Sequence, residues 1–213
     1  MTAESNVRKN KSILVLIEQD VPFIDHLPEI EDSTRAILRE PNDIAERARC
    51  LFAVFFAVNR GEQSKALEIV EKFNLRTKLT LREQLVLGPN VIPDALLADL
   101  SWECESLITL VWALGAIDAM PPPTDGIHPD SLALGWTLIP EEHWAGLSAR
   151  PLGDVLDQCD LYYRYHWAVR DAWLKQSAAP AGLIPDAISQ RHRALKWLTS
   201  NDLNDWDEVT TDT

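Results

Sequence analysis

Apolar residues recur at three- and four-residue spacing along most of the 213-residue chain, and no stretch alternates long enough to demand a sheet. That period restricts the fold to helices laid against one another, because each apolar stripe has to be covered by another. The spacing predicts helices near residues 4–19, 31–39, 42–60, 64–74, 81–87, 94–117, 152–176 and 186–199. The expectation is an all-α, multi-helix globular bundle, a single helical domain over residues 1–213 with an irregular Pro-rich excursion around 118–150.

Helix ends carry their own chemistry. Thr80-Leu81-Arg82-Glu83 reads as a capping box, in which a hydroxyl and a carboxylate each accept from an otherwise orphaned N–H. Ser64 is placed to cap the helix that holds Leu67, Ile69 and Val70, while Pro151 and Pro185 suit first-turn positions, where a missing N–H costs nothing. Pro121-Pro122-Pro123, Gly126, Pro129, Gly135 and Pro140 interrupt the pattern. Leu132, Leu134, Trp136, Leu138 and Ile139 make that segment too apolar for a free linker, so an ordered excursion is expected, with a short strand around residues 135–139.

Charge narrows the partners. A formal net charge of −13 repels a phosphate backbone, so neither nucleic acid nor an anionic membrane is expected; Arg8, Lys9 and Lys11 read as a solvated first turn. The longest uncharged apolar stretch, Ser106 to Ile117, falls short of the roughly 20 residues that span a bilayer. The N-terminal apolar run ends at Glu18 without a small-residue cleavage site, so no signal peptide is expected. Cys50, Cys104 and Cys159 are widely spaced, which fits buried, reduced thiols and a cytoplasmic location.

Familiar catalytic signatures are missing: no G-x-G, no phosphate-loop motif, no H-E-x-x-H, no E-x-x-H and no G-x-S-x-G occur. What remains is polar residues within apolar helices. Along 94–117, Leu97, Leu100, Cys104, Leu107, Val111 and Leu114 form one stripe, and Trp102, Glu105, Thr109 and Trp112 another. A helix apolar nearly all round is central, so Glu105 is expected inside with a donor from Arg164, Arg170 or Arg191. Along 152–176, Leu152, Val155, Leu156, Cys159, Tyr162, His166, Val169 and Trp173 share a face; His166 reads as a hydrogen-bonded core residue, and Asp160 with Arg164 as an i,i+4 surface pair. Tyr162, Tyr163, Tyr165, Trp167 and Trp173 read as packing.

Five blocks occur in order: Arg8-Lys9-Asn10-Lys11-Ser12; Trp102-Glu103-Cys104-Glu105 with Trp112-Ala113-Leu114-Gly115; Asp160 to Arg164 with Trp167-Ala168; Arg191-His192-Arg193-Ala194-Leu195-Lys196-Trp197-Leu198; and Trp206 to Thr213. Together they resemble a bacterial family catalogued only as a domain of unknown function. The resemblance implies a helical domain with no assigned reaction, and so no catalytic residue. It implies a base after the first tryptophan, where this chain has Glu103, and it makes Trp206 to Thr213 an integral segment.

The candidate polar cluster is therefore Glu105, Arg164, His166, Arg191, His192, Asp207 and Asp212, with Trp206 and Val209 anchoring the acidic tail against Arg191 and His192. Two histidines without a close third ligand do not make a metal site, and neither metal nor cofactor is expected. The leading functional expectation is a non-enzymatic domain, regulatory or immunity-like, that binds a protein partner. The alternative is an enzyme or binder of an anionic metabolite in which Glu105, Arg164, His166, Arg191 and His192 converge on one solvent-reachable pocket.

Overall fold

The computed structural model describes residues 2–89, 91–130, 132, 147–200 and 206–211. Eight α-helices are defined among them: α1 (Ala3–Glu18), α2 (Pro41–Val58), α3 (Gln63–Lys72), α4 (Leu81–Leu87), α5 (Asp94–Ser101), α6 (Glu103–Ala113), α7 (Leu152–Leu174) and α8 (Pro185–Thr199). No strand occurs among the described residues, so the all-α expectation holds; the strand foreseen at 135–139 lies outside them.

Two central helices set the core. From Ile44 to Phe56, α2 is buried on almost every side, and every residue of α6 is buried. Phe52, Phe55 and Phe56 of α2 share one apolar cluster with Leu107 and Leu110 of α6 and with Ile188, Leu195 and Leu198 of α8. Hydrophobic burial at about 25 cal/mol per Å² is the main stabilising term for such a cluster. α8 packs on both α6 and α7, running antiparallel to α7, and α1 lies parallel to α7. α3, α4 and α5 cover α2.

The helix predicted at 31–39 does not form. The Asp32 carboxylate accepts from the Thr34 N–H at 3.0 Å, a local turn that competes with helical pairing. Arg39 then holds the chain across the end of α8, with Nε donating to Trp197 O at 2.7 Å. The predicted 94–117 helix breaks at Trp102 into α5 and α6. There the Asn59 side-chain amide donates to the Ser101 carbonyl at 2.9 Å, and tighter i→i+3 bonds replace the regular ladder.

Local signals fared unevenly. The capping box at Thr80 is formed: Thr80 Oγ1 accepts from the Glu83 N–H, and Glu83 Oε2 from the Thr80 N–H at 2.8 Å. Pro185 does open α8, whereas Pro151 is the residue before α7, and Ser64 lies inside α3, which starts after Glu62 without a side-chain cap. Arg8 is no solvated first-turn base; it is 3 % exposed and bonded to Glu4 and Asp157. Trp173, assigned by period to the buried face of α7, is 73 % exposed because the covered face there runs through Val169 and Ala172, and Ala172 lies about 100° round the helix from it.

The Pro-rich excursion is irregular at residues 118–128 and 147–150, with Pro129, Asp130 and Leu132 helical, and α6 enters it through a left-handed residue. Gly115 has φ +72°, its N–H bonds to Trp112 O at 2.9 Å, and the Ala116 N–H reaches back to Val111 O at 3.2 Å. That pairing satisfies the last carbonyls of α6 and needs a residue without a Cβ penalty.

Candidate functional site

Glu105 leaves the first turn of α6 at 1 % exposure and meets Arg191 of α8, itself fully buried. Arg191 Nε donates to Glu105 Oε2 at 2.9 Å, and Nη2 lies 2.8 Å from the same oxygen. Glu105 Oε1 accepts from the backbone N–H of Ile127 at 2.7 Å. Arg191 also donates to Pro121 O at 2.6 Å, Tyr162 Oη at 2.9 Å and Asp125 O at 3.1 Å. Every guanidinium nitrogen thus has an acceptor, and three of the acceptors or donors belong to the Pro-rich excursion. Prolines cannot donate to one another, so a buried ion pair supplies the polar partners this segment cannot make for itself. Arg150 fastens the same segment from the other side, donating to Trp112 O at 2.8 Å and Ile117 O at 2.6 Å.

Arg164 belongs to a different pair. Its Nε and Nη2 hold Asp160 at 2.8 and 2.9 Å, with both side chains at 1 % exposure or less, so this contact is core and not the surface pair that its spacing suggested. Two residues on, α7 presents His166 to His192 of α8, with their Nδ1 atoms 3.0 Å apart and both rings buried. One Nδ1 carries the proton and the other accepts it. Burial, then the charge of Arg170, pushes His166 down to about 4; burial, then His166 and Lys196, pushes His192 down to about 3. The neutral pair is what this environment favours.

The tail docks through Trp206, 2 % exposed, and Val209. Among the described residues its receptors are not Arg191 and His192, which are already committed to Glu105 and His166 inside the bundle. Arg193 instead donates to Trp206 O at 2.9 Å and lies 3.5 Å from Asp207, while Lys196 reaches Thr210 O. Arg193 also holds Glu103 Oε1 at 3.0 Å. Asp212 lies outside the described residues.

The six candidates among the described residues therefore do not form one cluster. Glu105 with Arg191, Arg164 with Asp160, His166 with His192, and Asp207 with Arg193 are separate contacts. Of the five residues offered for an enzyme pocket, His192 lines an open cavity. Glu105, Arg164, His166 and Arg191 line neither that cavity, nor the open grooves between α1 and α7, nor the cavities beside α2 and between α3 and α4. Among the described residues, no group of three or more histidine, cysteine and carboxylate side chains is arranged to hold a metal ion. Cys50, Cys104 and Cys159 are free and buried, and burial raises each thiol to about 12. No helix among the described residues is long and apolar enough to cross a membrane.

Sequence reasoning missed a second polar centre. Arg47 of α2, 6 % exposed, pairs with Glu83, the same residue that caps α4. Glu103 lies close enough to feel Arg47, Glu83 and Arg193; burial raises its carboxyl above the usual range, and the two arginines oppose that rise. The signal was present: Ile44, Arg47 and Leu51 follow helical spacing, which puts a guanidinium on a core stripe.

An open groove of about 460 Å³ lies between α1, α7 and the Pro-rich segment. Trp112, Met120, Pro121, Pro123, Leu161 and Tyr162 form its apolar lining. Asp118, Asp154 and Asp157 supply carboxylates and Arg150 a guanidinium, and a neighbouring depression along α1 and the start of α7 shares Asp154 and Asp157. Asp157 is taken by Arg8 and Lys11, while Asp118 and Asp154 have no cationic partner among the described residues.

The chain belongs to the family described as Domain of unknown function (DUF4272), whose model matches residues 8–209. No match was found among curated proteins or among solved structures.

Proposed function

For this member of the family, we propose a non-enzymatic cytoplasmic domain that binds a basic segment of a partner protein in the groove between α1, α7 and the Pro-rich excursion. The groove's composition carries the reading: aromatic and proline walls are flanked by Asp118 and Asp154, whose carboxylates have no ion-pair partner among the described residues, while Arg150 in the same lining is held by backbone carbonyls, on a chain of net charge −13. Apolar walls offer an anchor with a dry centre, and rim carboxylates select the sign of the partner and speed encounter. The competing metabolite pocket loses support, because its residues are held in separate contacts, Glu105 with Arg191, His166 with His192, and Arg164 with Asp160. Free, buried cysteines suit a reducing compartment.

Fluorescence anisotropy with short labelled peptides tests it. Peptides in which arginines flank an apolar anchor are expected to bind, weakening as salt rises, while acidic peptides with the same anchor do not. Asp118→Asn with Asp154→Asn should weaken binding about tenfold, or about 1.4 kcal/mol. The charge-matched pair Glu68→Gln with Glu71→Gln on α3 should leave it unchanged. Equal losses in both pairs would reduce the effect to net charge, and the groove would not be the site.

A further inference from the structure

α1 is inside out for a surface helix. Its buried face is Ser5, Arg8, Ser12 and Leu16, three polar residues and one apolar. Its outer face is Ala3, Val7, Asn10, Leu14 and Ile17, all exposed, with Val7, Leu14 and Ile17 between 54 % and 61 % open to solvent. At about 100° per residue the two faces are diametrically opposed, so the apolar stripe points away from the bundle. Polar contacts hold the inner face: Arg8 reaches Asp157 of α7 at 3.1 Å, and Ser5 donates to Glu29. A surface helix ordinarily turns its apolar stripe inward, so the stripe on α1 is left over by the fold of a single chain.

Residues 3, 7, 10, 14 and 17 alternate four- and three-residue steps, the heptad spacing with which two helices interlock side chains along a seam. One polar residue, Asn10, sits in the middle of that seam, and it decides what the facing helix is. Against a wholly apolar helix its amide would be covered without a hydrogen bond, which is costly. Against a second α1, parallel and in register, Asn10 meets Asn10, and one amide donates to the other. Val7, Leu14 and Ile17 likewise meet their own counterparts.

Charge agrees with that arrangement. Glu4, Lys11 and Glu18 flank the seam on one side, and Asn6 and Ile13 on the other. In the parallel pair Lys11 lies beside Asn6 of the second copy and Glu18 beside Ile13, so no like charges meet across the seam. The antiparallel pair that matches Val7 with Ile17 would set Lys11 beside Lys11, Glu4 beside Glu18, and Asn10 against Leu14.

We propose that α1 is a self-association helix: two copies of this chain pair their α1 stripes in parallel about a two-fold axis, with the bundles on opposite sides of the seam. Its 16 residues give about 24 Å of seam, and each copy carries a net charge of −13, so the dimer is weak, reversible and tightened by salt. A basic peptide in the groove has the reverse salt response, and α1 lends that groove Val15 from a different face.

Sedimentation equilibrium of the full-length chain at rising concentration, at low and high salt, tests the proposal. A monomer–dimer equilibrium is expected, shifted toward dimer at high salt. Leu14→Gln with Ile17→Gln should weaken it at least about tenfold, with unchanged far-UV circular dichroism because both side chains are already exposed. Leu81→Gln with Leu85→Gln, exposed on α4, should change nothing. The native cysteines are buried, so under mild oxidation Leu14→Cys should cross-link to itself. Cross-linking instead between Val7→Cys and Ile17→Cys chains would mean antiparallel helices and overturn the arrangement. A chain that stays monomeric at every concentration, or a dimer that the Leu14 and Ile17 substitutions leave intact, overturns the proposal.

Discussion

Glu103 and Glu105 stand on the same turn of α6, both almost fully buried, and they differ in how completely their oxygens are used. Glu105 has an acceptor role at each oxygen, one toward Arg191 and one toward the Ile127 N–H. Glu103 uses Oε1 for Arg193 and leaves Oε2 without a partner, and its carboxyl is raised by burial. The same contrast extends to the arginines across from them: Arg191 is filled at every nitrogen, while Arg47 keeps an idle Nε. A closed set of buried polar groups holds a fold together; an incomplete set beside a cavity leaves hydrogen-bonding capacity for something else.

The most direct way to break the comparison is to cut one partner from the closed side. Glu105→Ala leaves the Arg191 charge buried and frees the excursion it staples, with an expected loss of about 3–5 kcal/mol in chemical denaturation. A midpoint matching that of Glu62→Ala, a partly exposed residue expected to cost under about 0.5 kcal/mol, would show that Glu105 is not holding anything.

Removing the tail from Trp206 onward should cost nearly as much, about 3 kcal/mol, since a buried tryptophan leaves with the carbonyl that Arg193 holds. If the truncated chain keeps its unfolding midpoint, the C-terminal turn is not part of the core.

Acid sharpens the comparison at the histidine pair. His166 and His192 are held at about 4 and about 3, below the unfolded value of about 6.5, so the unfolded chain takes up protons first as pH drops. Stability is therefore complete above pH 6.5 and declines between about 6.5 and 4, at up to about 1.4 kcal/mol per pH unit for each histidine. Urea midpoints measured from pH 7 to pH 5, above most carboxylate titration, should show the slope; a flat profile over that window would mean the pair is not held neutral.

The smallest effect separates the two glutamates. Replacing Glu105 with glutamine should cost about 2 kcal/mol, because both of its oxygens accept, and one from a charged donor. Glu103→Gln should cost less than about 1 kcal/mol, since it removes a charge that burial disfavours and keeps an oxygen for Arg193. Equal costs in a denaturation series would erase the distinction between the closed and the incomplete side.

The buried position of Glu105 was legible because its helix is apolar on nearly every face, and Arg191 stood among three named donors. The partner of the tail was misread for a physical reason: Arg191, His192 and Arg193 are consecutive, and helical geometry turns neighbours about 100° apart, so one faces the excursion, the next α7 and the third the tail. Which of the three faces which element depends on how α8 is rotated in the bundle, and no local spacing specifies that. The Asp160–Arg164 pair shows the same limit, since i,i+4 spacing guarantees that the two meet but not whether water does.

By itself the sequence determined the helical class, the capping box at Thr80, the apolar helix around Glu105 and the anchoring of Trp206, because period, cap chemistry and apolar content act over a few residues. Tertiary structure decided what period cannot reach: the break at Trp102 under the Asn59 amide, the loss of helix at 31–39, the exposure of Trp173, and the meeting of Arg47, Trp197 and Trp206 around one cavity. Those outcomes depend on contacts between residues far apart in the chain, whose geometry is set only when the helices pack.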